Sequence, residues 1–135
     1  MAATFDFAGQ AVLVTGGTRG IGRAIAAAFA DAGAAVTVTG TRAAAGDYEG
    51  DLAGLSYCQA RMEDPGSVDA LAASVARVDV LVNNAGIVIR QPEGLTPEAF
   101  EKTVAVNLNA VFRLSQGLRD KLAARPCCIV NIASM

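Results

Sequence analysis

Residues able to do chemistry are few in this 135-residue chain, and they gather at the ends of short apolar runs. The run Ala11–Val14 meets a glycine turn, Thr15-Gly16-Gly17-Thr18-Arg19-Gly20-Ile21-Gly22, and an alanine-rich helical pattern follows at once. Strand, glycine turn and helix in that order form a cradle for phosphate. Gly16 allows a tight turn, Gly20 leaves room for a pyrophosphate to approach the backbone, and Gly22 lets the helix pack closely on the sheet. The start of the helix then offers unpaired N–H groups and a partial positive charge. A plain tight connection between strand and helix would use the same glycines. Two amides, Asn83 and Asn84, close a second apolar run, Asn107 interrupts a long helical pattern, and Ser134 follows the last run. With no histidine in the chain, Ser-His triads and His-ligated metals are excluded.

These residues need a scaffold, and the rest of the chain supplies one. Apolar runs near 11–15, 34–40, 55–60, 78–83 and 127–132 are too continuous for half-exposed strands and predict a parallel sheet covered on both faces. Helical periodicity covers 20–32, 66–76 and 96–124. Gly33 is a natural C-cap for the first helix, Asp64-Pro65 opens the second, and Thr96-Pro97-Glu98 opens the third. Right-handed crossovers then give a doubly wound, three-layer α/β fold of strand order 3-2-1-4-5. Residues 43–54 are poor in apolar side chains and carry three glycines, so a loop or one short helix is expected there.

The chain is long enough for one domain with a substantial core, and 53% apolar residues with a mean hydropathy of +0.38 argue against disorder. A net charge of −2 without basic runs leaves no footprint for nucleic acid. No apolar stretch reaches the about eighteen uncharged residues of a membrane span, and the N-terminus does not read as a secretion signal. Cys58, Cys127 and Cys128 are odd in number, lack metal-ligand spacing and fall in predicted strands. They are expected to be small buried apolar residues, which suits a reducing cytoplasm.

The second strand ends at Gly40-Thr41-Arg42, where a site preferring NAD usually carries an acid for the ribose 2′-hydroxyl. A hydroxyl and a cation suit a 2′-phosphate instead, although Arg19 and Arg42 could be ordinary solvated charges.

The spacing Gly16-x-x-x-Gly20-x-Gly22, with Thr15 in front, resembles the short-chain dehydrogenase/reductase family. Its signature T-G-x-x-x-G-[IL]-G is met at every fixed position. Three further motifs follow in the family's order: Asn83-Asn84-Ala85-Gly86, Asn107 within Val106-Asn107-Leu108, and Asn131-Ile132-Ala133-Ser134. The resemblance covers the whole chain.

That resemblance implies a Rossmann-type domain over residues 1–135, incomplete on its C-terminal side, that binds NADP(H) in preference to NAD(H). The cofactor would meet Gly16, Thr18, Arg19, Gly20, Ile21 and Gly22 of the loop. It would also meet Thr41, Arg42, the backbone of Met62, Asn83, Ala85, Gly86 and the backbone of Val106. Asn84 is assigned mainly to structure, and Ile87–Arg90 to the substrate entrance. The family often has an Asp where Arg61 stands, contacting adenine; Arg61 could stack on the base instead. Ser134 matches the catalytic serine that hydrogen-bonds a substrate carbonyl, and Asn107 matches the asparagine that holds a relay water.

The family's acid/base tyrosine, in Tyr-x-x-x-Lys, would follow Ser134 and lies beyond Met135; Tyr48 and Tyr57 do not match it. A free tyrosine needs its pKa lowered by roughly 3 units, about 4 kcal/mol, to ionise usefully at neutral pH. The 135 residues alone are therefore expected to bind without catalysing hydride transfer, and to expose a sheet edge and apolar faces over 78–132. The implied activity of the complete protein is interconversion of a secondary alcohol and a ketone, with a 3-oxoacyl thioester as the leading substrate class. The alternative is an inactive NADP(H)-binding relative. The resemblance also implies a small-molecule carbonyl or alcohol substrate, no nucleic-acid or membrane partner, a cytoplasmic setting, and a homodimer or tetramer using the helix near 96–124.

Overall fold

The computed structural model describes residues 2–50 and 52–134. Strands β1 (Ala11–Val14), β2 (Ala35–Gly40), β3 (Ser56–Gln59), β4 (Val80–Asn83) and β5 (Cys128–Asn131) pair in parallel, in the order β3-β2-β1-β4-β5. The expected doubly wound order is therefore observed, with its switch point between β1 and β4. The helices are α1 (Gly20–Asp31), α2 (Pro65–Ser74), α3 (Pro97–Val104), α4 (Ala110–Gly117) and α5 (Arg119–Ala123). Among the described residues, no helix is long and apolar enough to cross a membrane.

Alternation along the strands explains why their sequences are apolar throughout. Val12 and Val14, with Val36, Val38, Val80 and Val82, pack with Ala26, Ile25 and Phe29 of α1. Leu13 and Leu81 point the other way, into Val68 and Leu71 of α2, Leu114 of α4, and Leu118 and Leu122. Each fully buried Val or Leu contributes about 1.5–3 kcal/mol, so both faces of the central strands stabilise the fold.

Local signals set the helix ends as expected. The Asp64 Oδ1 accepts the Gly66 N–H at 2.9 Å, and the Thr96 Oγ1 accepts the Ala99 N–H at 3.2 Å. Gly33, at φ +94°, donates to the Ala30 carbonyl while Ala34 donates to Phe29, a Schellman stop for α1. The described residues of 43–54 are mostly loop, with one 3₁₀ turn at Ala45–Asp47.

The predicted helix over 96–124 is not one regular helix. Between α3 and α4 the residues Ala105–Asn109 form a π turn, and Leu118 separates α4 from α5. Such bulges are frequent at functional sites, and this one is centred on Asn107. Gly117 lets α4 approach α2, because a Cβ there would stand 2.9 Å from the Ala72 Cβ.

At the N-terminal ends of the strands a buried carboxylate ties the sheet together. Asp79, 4% exposed, accepts the Ala11 N–H at 2.8 Å and pairs with Arg77 at 2.9 Å and Arg125 at 3.3 Å. The Ala11 N–H foremost, then the two guanidinium groups, outweigh burial and hold its carboxyl below the usual range.

The expectation of buried cysteines is corrected, whereas the exposed edge and apolar faces expected over 78–132 are observed at β5. Cys127 and Cys128 are exposed, and Cys58 is half-buried. Ile129 and Val130 are 44% and 37% exposed, because β5 pairs only with β4 and no described element covers its faces. The exposure does not spread to β4, whose four residues are buried between β1 and β5.

Candidate cofactor and active site

Every candidate residue lies at or beyond the C-terminal end of a strand, except Val106 and Asn107, which the π turn brings to β4. The glycine loop is latched there by Thr15. Its buried hydroxyl accepts the N–H groups of Asn84 at 3.1 Å and Ala85 at 3.0 Å. The Asn84 amide returns the link, donating to the carbonyls of Thr15 at 3.2 Å and Gly16 at 3.1 Å. Asn84 is thus the bracing residue it was expected to be.

This latch explains the glycines. Gly16 has φ +63°, and a Cβ there would come within 2.9 Å of the Ala85 Cα. A Cβ on Gly22 would meet the Asn84 Nδ2 at 2.3 Å and the Gly16 carbonyl at 2.4 Å. Gly22 therefore lets the start of α1 pack closely against the bracing amide just past the end of β4. Gly20, at φ +57°, differs in kind: a Cβ there meets nothing within 4 Å. It faces open space at the start of α1, whose N-cap Arg19 supplies no side-chain cap. The first-turn N–H groups of α1 thus lack a side-chain partner from the cap and stand beside that space, which fits a dinucleotide phosphate. Thr18 is buried and Ile21 is 68% exposed.

Two loop contacts escape a reading of the motif alone. Gly17 has no room for a Cβ, which would lie 2.5 Å from the Val38 Cγ1. Buried Thr39 on β2 accepts the Gly16 N–H through its Oγ1 at 3.2 Å, and its carbonyl accepts the Gly17 N–H at 3.2 Å. The signal available was a pair of threonines, Thr37 and Thr39, alternating with the valines of the strand.

At the end of β2, Thr41 and Arg42 are exposed, and two tyrosines attend them. The Tyr48 hydroxyl accepts the Arg42 N–H at 2.9 Å and lies 3.3 Å from the Tyr57 hydroxyl, which donates to the Arg42 carbonyl. The Arg42 guanidinium sits 4.9 Å from the centre of the Tyr48 ring and donates to the Asp47 carbonyl. Burial, then the hydrogen bond with Tyr48, pushes the Tyr57 hydroxyl well above its ordinary value. Burial also acts to raise Tyr48, but its hydrogen bonds with Tyr57 and Arg42 outweigh it and leave that hydroxyl lowered. At the end of β3, Arg61 is exposed, and its N–H donates to the Ser67 Oγ at 2.8 Å. The Met62 side chain is buried in the core, leaving its backbone for any contact.

The β4 end divides its asparagines. Asn83 is buried and donates through Nδ2 to the Asn131 Oδ1 at 2.9 Å and, at 3.4 Å, to the Ser115 Oγ. Its side chain braces β4 against β5 and α4, leaving its backbone for the expected cofactor contact. Ala85 and Gly86 follow at the loop. Asn107 is joined to the same turn twice: its Oδ1 accepts the Ile87 N–H at 2.8 Å, and its Nδ2 donates to the Ile87 carbonyl at 2.9 Å. Val106 beside it is buried. Ser134 is exposed beyond β5, where the Ile132 N–H still pairs with the Asn83 carbonyl at 3.0 Å.

The structure therefore gathers the loop, Asn84, Ala85, Gly86 and Asn107 around the switch point, with Arg42 at the end of β2. A groove of about 860 Å³ lies elsewhere, between α2 and α4, and takes in Met62 but none of the loop residues.

The chain is similar to known proteins in sequence and in fold. The D-threitol dehydrogenase of Mycolicibacterium smegmatis is 37% identical, over 96% of this chain and 55% of the relative. A rhamnolipids biosynthesis 3-oxoacyl-[acyl-carrier-protein] reductase of Pseudomonas aeruginosa is 36% identical, over 97% of this chain and 57% of the relative. The solved structure of the Pseudomonas aeruginosa RhlG/NADP active-site complex superposes with a TM-score of 0.81 at 32% identity, over 99% of this chain and 58% of that one. The chain thus spans little more than half the length of these relatives. The family model described as short chain dehydrogenase matches residues 10–135, and the chain belongs to that family.

Proposed function

We propose that the complete polypeptide is an NADP(H)-dependent oxidoreductase that interconverts a secondary alcohol and a ketone. The observation that carries this reading is the open space at Gly20, beside the start of α1 and backed by the Thr15–Asn84 latch. Gly16, Thr18, Arg19, Gly20, Ile21 and Gly22 would hold the diphosphate, and Thr41 and Arg42 the 2′-phosphate. The backbone at Met62, Ala85, Gly86 and Val106 would line the adenine and nicotinamide halves. The bound cofactor supplies the hydride donor or acceptor.

Ser134 orients the substrate oxygen by a hydrogen bond, which requires only its hydroxyl. Asn107 spends one N–H and one lone pair on Ile87, fixing the turn after Gly86, and its remaining N–H and lone pair hold the relay water. The Tyr48 hydroxyl, after the 45–47 turn, is hydrogen-bonded with that of Tyr57 inside β3, so neither stands in for the acid/base tyrosine of the family. The relatives' names span a small polyol and a 3-oxoacyl thioester, both of which present the same carbinol or ketone to such a site. A soluble, cytoplasmic homo-oligomer is the setting this reading favours.

The test is steady-state turnover of the full-length polypeptide with NADPH and a panel of ketones. Ser134→Ala should lower kcat/KM by roughly 10²–10³-fold while leaving NADPH affinity in place. Turnover undiminished by that change removes the serine's role, and tight NADPH binding without any turnover favours the inactive relative.

A further inference from the structure

Arg42 is held more firmly than an exposed arginine at a strand end requires. Its N–H is taken by the Tyr48 hydroxyl, its carbonyl by the Tyr57 hydroxyl, and its guanidinium lies over the Tyr48 ring with one N–H on the Asp47 carbonyl. The Tyr48 ring can stand there only because residue 40 is glycine: a Cβ on Gly40 would meet the Tyr48 Oη at 2.2 Å and the Thr18 Cγ2 at 2.9 Å. That places the tyrosine between β2 and the glycine loop. Asp47, whose carbonyl the guanidinium meets, turns its carboxylate to the Ala44 N–H at 3.0 Å. The guanidinium has five N–H donors, so four remain for an anion.

We propose that Tyr48 is a positioning residue that presets Arg42 as the receptor for the ribose 2′-phosphate, making the 45–48 turn the element that selects NADP(H) over NAD(H). This rests on the cofactor reading given under Proposed function. A long arginine side chain loses rotamer freedom when it grips a ligand, and stacking on an aromatic face in advance removes part of that cost.

The experiment is a fluorescence titration of NADPH and of NADH on the full-length polypeptide, comparing their dissociation constants. Arg42→Ala should weaken NADPH by about tenfold or more and NADH by less than about twofold. Tyr48→Leu should weaken NADPH about fivefold with the same sparing of NADH, and add almost nothing in the Arg42→Ala background. Tyr48→Phe keeps the ring and should restore NADPH affinity to within about twofold, separating the stacking role from a folding defect. If Tyr48→Leu weakens both nucleotides alike, or adds fully to Arg42→Ala, the positioning role is overturned. If Arg42→Ala itself fails to discriminate the two nucleotides, the 2′-phosphate reading falls, and this inference with it.

Discussion

The two ends of the β1-β4-β5 half of the sheet differ sharply although one ladder joins them. Val82 and Val130 sit opposite each other in register on β4 and β5, yet the first is 1% exposed and the second 37%. The side from β2 to β4 carries its own core, the Thr15–Asn84 latch and buried Thr15, Thr39 and Asn83. The β5 side carries Ser134 just beyond a strand exposed at every position. The difference shows where organisation resides within these residues: the glycine loop is braced by buried contacts with β2 and β4, whereas the strand that leads to the serine joins the sheet through the β4–β5 ladder.

The largest expected effect is at Gly22. Gly22→Ala drives a methyl into Asn84 and the Gly16 carbonyl, and should cost about 3 kcal/mol or more in urea unfolding together with cofactor binding. Val82→Ala should cost about 2–3 kcal/mol, against less than about 1 kcal/mol for Val130→Ala, as measured by the same unfolding curves. Equal losses would mean that β5 is as deeply packed as β4 and would erase the contrast. Asp79→Asn acts at the far end of the same ladder, where one carboxylate serves β1, Arg77 and Arg125, and should cost about 1–3 kcal/mol at pH 7. Because its folded pKa lies below the unfolded value of about 3.9, its contribution is complete above that value. It is lost as the pH falls through the folded pKa, so the wild type and Asp79→Asn should converge in acid, as unfolding at stepped pH would reveal. Gly20→Ala should cost about 1–2 kcal/mol for its positive φ alone, since the methyl meets nothing. It should nevertheless weaken NADPH strongly, and an unchanged affinity would detach Gly20 from the cofactor.

What was legible in the sequence was what local pattern encodes. Strand order, the caps at Asp64 and Thr96, the stop at Gly33 and the glycine loop all follow from spacing over a few residues. The π turn did not, because its helical periodicity is interrupted only by Asn107, and the side chain's partner, Ile87, is distant in sequence. Nor did the Arg42–Tyr48–Tyr57 cluster, which a crossover brings together from three segments. Asn83 was within reach: Leu81 points to the α4 face, and period-two alternation puts residue 83 on that same face, toward Ser115. The cysteines of β5 were misjudged because an apolar run reports a tendency to be buried, while the covering must come from another element.

The central claim, that the Thr15–Asn84 latch and the start of α1 form the cofactor cradle, is tested most directly by hydrogen exchange of the full-length polypeptide with and without NADPH. Slowed exchange concentrated in residues 15–23, 40–42 and 84–87, and weak over 128–131, is the predicted result. Protection absent from 15–23, or spread evenly over the sheet, would contradict it.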